Sequence, residues 1–378
     1  MRVLVLATWF PDAAAPHQAP FNLSHVQAIA ARHEVQVIHV RLGGRGKVVS
    51  EQYGGVTVTS VPFSPTKPWR YLAVARLLTR ALRDADVLHT MAFSAAALAT
   101  PVSAFARTPW VHTEHWSGMA DPASVSKAWA AVAWLRYILK LPQAVTAVSQ
   151  AQSRQLQVFA RKGAVHVVPN VVQGQPPLAA RSGRLDGGVR LVGVGGLIEG
   201  KRPELALDAL GVLRGKGIDA SLTWVGDGPL RNDLQAQAGR LGLGEHFSIT
   251  GMVAPEEVTS QMRKTDVFIL PSAHETFCMA AAEAVAQGVP AVVTDLPAVR
   301  DFLSAKNSVL VSGNAAADFA DGVEQALEIF ADVSPEEISA TLGDNLGSSA
   351  VASKFSEIYE SITASKRPRS SPAQGGVK

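Results

Sequence analysis

The sequence predicts an α/β protein made of two parallel-sheet domains in tandem, and three observations predict it. Its 378 residues accommodate two domains of about 150 residues each. Short Val/Leu/Ile runs recur with helical stretches between them, and they lack the polar alternation of a half-exposed strand, so they read as strands buried on both faces. Midway, a polar stretch rich in proline and glycine interrupts the rhythm, which then restarts.

In the first half the expected strands are 3–7, 35–40, 56–61, 87–90, 110–113, 144–149 and 165–168, separated by helical stretches such as 21–31, 71–83 and 151–160. In the second half they are 190–194, 222–225, 247–250, 267–270, 291–294 and 308–311. These divide the chain into an N-terminal domain (1–172), a linker (173–188), a C-terminal domain (189–345), a helix (346–364) that packs back on the N-terminal domain, and a disordered tail (365–378) rich in Ser, Pro, Gly, Gln and Lys. Two sheets of this kind leave a cleft between them, and ligands of open α/β sheets bind beyond the carboxyl ends of the strands.

Composition narrows the function classes. Hydrophobic residues make up 47% and charged residues 18%, which suits a folded globular chain. The longest apolar stretches, such as 3–7 and 128–135, fall short of the ~20 residues of a membrane span, so neither a transmembrane helix nor a signal peptide is expected. Cys278 is the single cysteine, which rules out an intrachain disulfide and a thiolate zinc site and fits a reducing cytoplasm. The net charge of +3 with pI 9.0 allows a mild preference for anions, such as phosphates or the acidic headgroups at the inner face of a membrane. The only basic block is Lys366-Arg367-Pro368-Arg369 in the tail, so no nucleic-acid partner is expected.

Two segments carry chemistry in the second half. The first is Gly193-Val194-Gly195-Gly196-Leu197-Ile198-Glu199-Gly200-Lys201-Arg202-Pro203, directly after a strand, with Pro203 placed to open a helix. Glycines let amides approach an anion, the helix N-terminus favours negative charge, and Lys201 adds a full positive one. The dinucleotide fingerprint fails because Ile198 stands where the third glycine belongs. A Walker A loop fails because Arg202 replaces the magnesium-binding Ser or Thr. A plain glycine-rich turn with exposed cations is the competing reading.

The second segment follows strand 267–270 and runs from Pro271 to Pro290. Glu275 lies in the strand-to-helix loop, and Glu283 lies about a turn and a half inside an alanine-rich helix that Gly288 ends. Carboxylates accept hydrogen bonds from vicinal hydroxyls of a sugar or ribose, and the amides of Phe277, Cys278 and Met279 between them can hold a diphosphate. The alternative is a dipole-favouring Glu275 and a solvated Glu283.

Glu275 and Glu283 with seven residues between them, Pro271-Ser272 before, and Glu283-Ala284-x-Ala286-x-Gly288-x-Pro290 after, resemble the signature of the retaining glycosyltransferases of family 4, which have the GT-B fold of two Rossmann-like domains facing a cleft. Gly226-Asp227-Gly228-Pro229 and Val168-Pro169-Asn170 resemble further motifs of that family, in the same order. The resemblance covers most of the second half and, more loosely, the first.

It implies that Glu283 binds the donor ribose, that Glu275 contacts the transferred sugar, and that Lys201 neutralises the diphosphate. The arginine that partners this lysine in the family is Gly196 here, which leaves Arg202 as the candidate second cation, with Gly195 and Gly196 lining the donor site. Cys278 stands where the family has glycine. His115, in Trp110-Val111-His112-Thr113-Glu114-His115, matches the family histidine that reaches the donor from the N-terminal domain. The loop from Thr8 to Phe21 lacks the family's glycine pair, so Trp9, Phe10 and His17 are assigned to the acceptor.

No Asp-x-Asp pair follows a strand, Asp84-Ala85-Asp86 preceding one, so neither a catalytic metal nor another cofactor is expected. Segment 129–140 carries Trp129 and Trp134 about 140° apart with apolar positions nearly all round, which favours a buried helix over one lying on a membrane.

The expected activity is transfer of a sugar from a UDP- or GDP-type donor to a hydroxyl of a sugar or lipid-linked acceptor, in cell-surface polysaccharide or glycolipid synthesis. A nucleotide-sugar epimerase of the same architecture and a non-enzymatic nucleotide-binding protein remain open as alternatives.

Overall fold

The computed structural model describes residues 1–12, 15, 18–44, 46–119, 122, 126–172 and 188–364. His17, nearly all of the expected linker and the expected tail lie outside the described residues. The chain forms two compact units, the first made of Met1–Val148, Gln152–Val171 and the C-terminal helix Ser348–Ala364, the second essentially of Val172–Gly347.

The first unit holds strands β1 (Arg2–Ala7), β2 (Glu34–Leu42), β3 (Val49–Tyr53), β4 (Val56–Phe63), β5 (Val87–Met91), β6 (Trp110–Glu114), β7 (Ala144–Ala147) and β8 (Val165–Val167). They form one sheet in the order β3-β4-β2-β1-β5-β6-β7-β8. All pairs are parallel except β3 with β4. β3 escapes the apolar-run criterion because Val-Ser-Glu-Gln-Tyr is a largely exposed edge strand with one neighbour, which needs no doubly buried pattern.

Period-2 alternation in β1 sends Val3, Val5 and Ala7 to one face and Leu4 and Leu6 to the other. On the first face pack helix α1 (Pro20–Ala30) and the C-terminal helix, whose Phe355 and Tyr359 are fully buried. On the second pack α2 (Tyr71–Leu82) and α3 (Phe93–Ser103).

Segment 129–140 departs from the buried helix expected for it. It forms a short helix Lys127–Ala131 and then a 3-10 helix Ala133–Lys140, in which Leu139 alone is fully buried. The apolar girdle is split: Leu135, Ile138 and Leu139 pack inward, while Trp134 and Tyr137 point to solvent.

The second unit holds β9 (Val189–Val194), β10 (Ala220–Val225), β11 (Phe247–Gly251), β12 (Val267–Leu270), β13 (Ala291–Thr294) and β14 (Ser308–Val311). The order is β11-β10-β9-β12-β13-β14 and every pair is parallel. The sheet grows outward in one direction from β9 through β10 and β11, then in the other from β12. Strand order reverses between β9 and β12, the place at the carboxyl edge where open α/β sheets bind their ligands.

Candidate active site

The two loops at that reversal carry the residues singled out in the second half. Lys201 ends a 3-10 turn, Glu199–Lys201, after β9; Glu275 lies in the loop after β12. Ala273 donates its amide to the Gly200 carbonyl at 2.9 Å, which fixes one loop on the other. Lys201 Nζ then donates to Glu275 Oε1 at 2.6 Å. Burial on its own would lower the Lys201 pKa, but the Glu275 carboxylate outweighs it and the net shift is upward, so the ammonium stays charged.

The glycines of the loop after β10 let its backbone pack directly against that of the first loop. A Cβ on Gly226 would lie 2.1 Å from the Gly195 carbonyl oxygen, and one on Gly228 would lie 2.5 Å from that of Leu197. The amides of Gly195 and Leu197 bond to the carbonyls of Val225 and Asp227, both at 3.0 Å, and Trp224 Nε1 donates to the Gly195 carbonyl at 2.9 Å. These two amides are therefore committed within the protein, so Gly195 offers no amide donor to an anion in this structure. A Cβ at Gly196, by contrast, would meet nothing nearer than 3.8 Å, so a residue larger than glycine can start there without a clash.

Arg202 also differs from expectation. Its backbone is left-handed (φ 48°, ψ 51°). Its guanidinium donates to the Pro271 and Ser272 carbonyls, to Thr294 Oγ1 at 3.1 Å and to Asn314 Oδ1 at 2.8 Å. Four of the five guanidinium donors are thereby spent on the loops after β12 and β14 and on the last residue of β13. Arg202 is a brace in this structure, and a second cation for the diphosphate is not presented at this position. The Arg202 side chain gives no sequence cue to this, because the role depends on a positive φ that arginine rarely adopts.

Helix Met279–Ala286 begins just beyond Glu275, with Cys278 as its left-handed cap (φ 76°). Free amides at a helix start direct partial positive charge outward. Phe277 is buried and stacks on Phe302 at 4.9 Å, which anchors the loop from below. Burial first, and the Glu275 carboxylate second, push the Cys278 thiol far up, so this cysteine is an inert packing group. Glu283 sits on the first turns of the helix, where burial raises its carboxyl to about 7.

In the first unit, His115 follows β6 with its backbone held by Glu114, whose Oε1 accepts from the His115 amide at 2.9 Å. Its ring lies 4.6 Å from Phe21 and 5.2 Å from His25, and both ring nitrogens are sealed from solvent without a partner among the described residues. Burial, reinforced by His25, His112 and His89, holds its pKa well below the ordinary value, so the ring is neutral. Trp9 is exposed, whereas Phe10 is fully buried beside His39 and offers no face to an acceptor, which removes it from that assignment. Asp86 accepts the Arg2 amide at 2.7 Å and Asp84 lies 4.0 Å from the Arg2 guanidinium, so both are tied to the start of β1.

The chain matches two protein-family models, one for glycosyltransferase family 4 over residues 21–173 and one for glycosyl transferases group 1 over residues 179–331. A GDP-mannose-dependent phosphatidylinositol dimannoside mannosyltransferase of Mycobacterium tuberculosis is 36% identical over 118 residues, 31% of this chain and 30% of that protein. The 2-deoxystreptamine glucosyltransferase of Streptomyces kanamyceticus is 27% identical over 247 residues, 61% of this chain and 64% of that protein. The matched stretches thus span less than two thirds of either relative. Among solved structures, Anabaena HepE in complex with UDP and glucose superposes with a TM-score of 0.75 at 17% identity, covering 96% of this chain and 100% of that one. Sucrose-phosphate synthase of Thermosynechococcus elongatus gives 0.76 at 15% identity, covering 97% and 100%. With glycosyltransferase models on both halves and two parallel sheets of the matching kind, the chain belongs to the family 4 glycosyltransferases of GT-B fold.

Proposed function

We propose that this chain transfers a sugar from a UDP- or GDP-linked donor to a hydroxyl of a sugar or lipid-linked acceptor, with retention of the anomeric configuration and without a metal, in cell-surface polysaccharide or glycolipid synthesis. The observation that carries this is the 2.6 Å Lys201–Glu275 pair at the strand-order reversal, with Glu283 on the helix that follows. UDP and glucose in Anabaena HepE, and a GDP-mannose-dependent relative, support both donor classes.

Lys201 has three N–H donors and gives one to Glu275, which leaves two for the diphosphate. Its charge, with the start of helix Met279–Ala286, offsets the charge that builds on the leaving oxygen, the task a metal performs elsewhere. The Gly195-Gly196 turn and the backbone from Phe277 to Met279 wall the phosphates. Glu275 orients Lys201 and accepts from the sugar hydroxyls; Glu283, once ionised, accepts from the ribose. His115 is neutral, and its sealed ring must be uncovered before it supplies the hydrogen bond to the sugar or phosphate; Trp9 stacks on the acceptor. In the reaction the bond between the anomeric carbon and the diphosphate oxygen breaks, the acceptor oxygen attacks the same face, and its proton passes to the departing phosphate.

A thermal-shift screen against UDP-, GDP- and ADP-sugars, followed by product analysis with sugar and lipid acceptors, tests this. Saturation at 100 times Kd adds ~2.7 kcal/mol of stability, so one donor class should raise Tm by several degrees and yield a retained linkage in the presence of chelator. Donor isomerisation without an acceptor, or stabilisation by ATP or GTP alone, contradicts it.

A further inference from the structure

The loop that leaves β6 presents Trp116 as well as His115. β6 ends at Glu114, a carboxylate with no solvent exposure, and its Oε1 accepts the amides of His115 at 2.9 Å and Trp116 at 3.0 Å. One buried oxygen thus fixes the histidine and the tryptophan together. The other, Oε2, lies 3.3 Å from His112 Nε2, and His112 Nδ1 lies 2.9 Å from Thr90 Oγ1. The anchor is itself held by the sheet.

The Trp116 side chain is held from behind although the residue is 39% exposed. Its ring lies 5.4 Å from that of Trp129, and Trp129 meets Phe93 edge-on at 5.2 Å. Trp129 Nε1 donates to the Gly118 carbonyl at 2.9 Å and Arg136 Nη1 to that of Met119 at 2.8 Å, which ties the far side of the loop to the segment behind it. Phe93 is buried at the start of α3, next to Ala92, whose φ of 72° is unfavourable for a residue with a Cβ. Strain of this kind collects at ligand sites, where surrounding bonds maintain it. Three rings therefore run from surface to core, and the outermost has an open part and a fixed backbone.

We propose that Trp116, backed by Trp129 and Phe93, is the stacking platform for a pyranose ring of the acceptor. A pyranose has a face of C–H groups within a rim of hydroxyls; those C–H groups carry partial positive charge and match the negative face of an indole. An indole already held by its neighbours loses little freedom on binding. The place suits an acceptor because it lies beyond the carboxyl end of β6, the edge at which open α/β sheets take ligands, one residue from His115. Sugar transfer, as proposed above, is what makes this ring the acceptor's; the stacking itself needs only the platform.

Saturation-transfer NMR on the full chain, with the methyl α-glycosides of mannose, glucose and galactose as probes, tests it. Irradiating the aromatic protons should transfer saturation to the ring C–H protons of at least one glycoside. Trp116→Ala should bind that glycoside at least about threefold more weakly, and Trp116→Phe should recover part of the loss. Trp116→Leu, which keeps apolar contact with Trp129, repeats the comparison with less disturbance of the loop, and thermal melting verifies folding. Trp69→Ala, which removes another exposed tryptophan, should match the wild type. UDP and GDP should bind wild type and Trp116 variants alike. No transfer to any of the three glycosides, wild-type affinity in the folded Trp116→Ala and Trp116→Leu variants, or displacement of the glycoside by UDP or GDP, which would make Trp116 a nucleobase contact, would overturn the platform. Nucleotide binding without glycoside binding thus rejects the platform alone, whereas glycoside binding at Trp116 in a chain that binds no nucleotide supports the platform and rejects the transferase reading.

Discussion

Lys201 Nζ donates to Glu275 Oε1 at 2.6 Å across the point where the strand order of the second unit reverses, and the two residues are 74 positions apart in sequence. The flanking residues Arg202 and Cys278 both have positive φ, two of only four such non-glycine residues among those described. Strain of this kind persists where surrounding bonds over-determine the backbone. Here the four guanidinium bonds of Arg202 and the packing of Phe277 supply that constraint.

Arg202 can be tested by separating its bonds from its backbone. Arg202→Ala removes the brace and keeps an unfavourable φ, so it should destabilise the second unit by roughly 2–3 kcal/mol. Arg202→Gly removes the same bonds but accepts the left-handed backbone, and should recover about 1 kcal/mol of that loss. Denaturant unfolding checks the order; a glycine variant less stable than the alanine one contradicts it.

Glu283 predicts a pH profile. Burial raises its carboxyl from 4.5 to about 7, so below that pH it is protonated and no longer acts as an ionic acceptor. Nucleotide affinity should therefore rise with pH, by about tenfold between pH 6 and 8 as the ionised fraction grows. Calorimetry across this range should show the trend in the wild type and a flat profile in Glu283→Gln.

Two neighbouring glycines should respond in opposite ways. Gly226→Ala drives a methyl to 2.1 Å from the Gly195 carbonyl oxygen, at φ 142°, and should cost more than about 3 kcal/mol or prevent folding. Gly196→Arg starts from a Cβ position clear to 3.8 Å and restores a second cation, so it should fold normally and bind the donor diphosphate several-fold tighter. Melting curves and donor titrations distinguish the two; a Gly196→Arg variant that fails to fold refutes the assigned space.

The first unit should weaken in acid. Burial lowers both His25 and His39 from 6.5 to about 4, the Pro169 carbonyl and Asp12 respectively opposing that shift only in part. A base whose folded pKa is depressed contributes stability above its unfolded pKa and loses it as pH falls through the folded value, here from about 6.5 to 4. Each should cost roughly 2 kcal/mol at pH 5 relative to pH 8. Denaturant midpoints across this range check it, and His25→Asn should show a shallower dependence.

Much of this architecture is legible in the sequence because buried strands are continuous apolar runs, and thirteen of the fourteen strands fall on such a run. β3 is not, because one exposed edge needs no such run. The Glu275 and Glu283 spacing signals a loop and a helix, but the left-handed backbones of Arg202 and Cys278 carry no local signal, since neither residue favours that conformation. Phe10 illustrates a different limit: a loop aromatic beside an exposed Trp9 can be core, which only tertiary packing decides. The helical reading of 129–140 misjudged its burial because an apolar girdle does not say which half finds a partner.

Titration of UDP and GDP into the wild type, Lys201→Ala and Glu283→Ala, each checked for folding by circular dichroism, addresses the proposed nucleotide site most directly. One nucleotide should bind the wild type and bind each variant at least about tenfold more weakly, a loss of roughly 1.4 kcal/mol. Unchanged affinity in both folded variants would mean that Lys201 and Glu283 do not share a nucleotide.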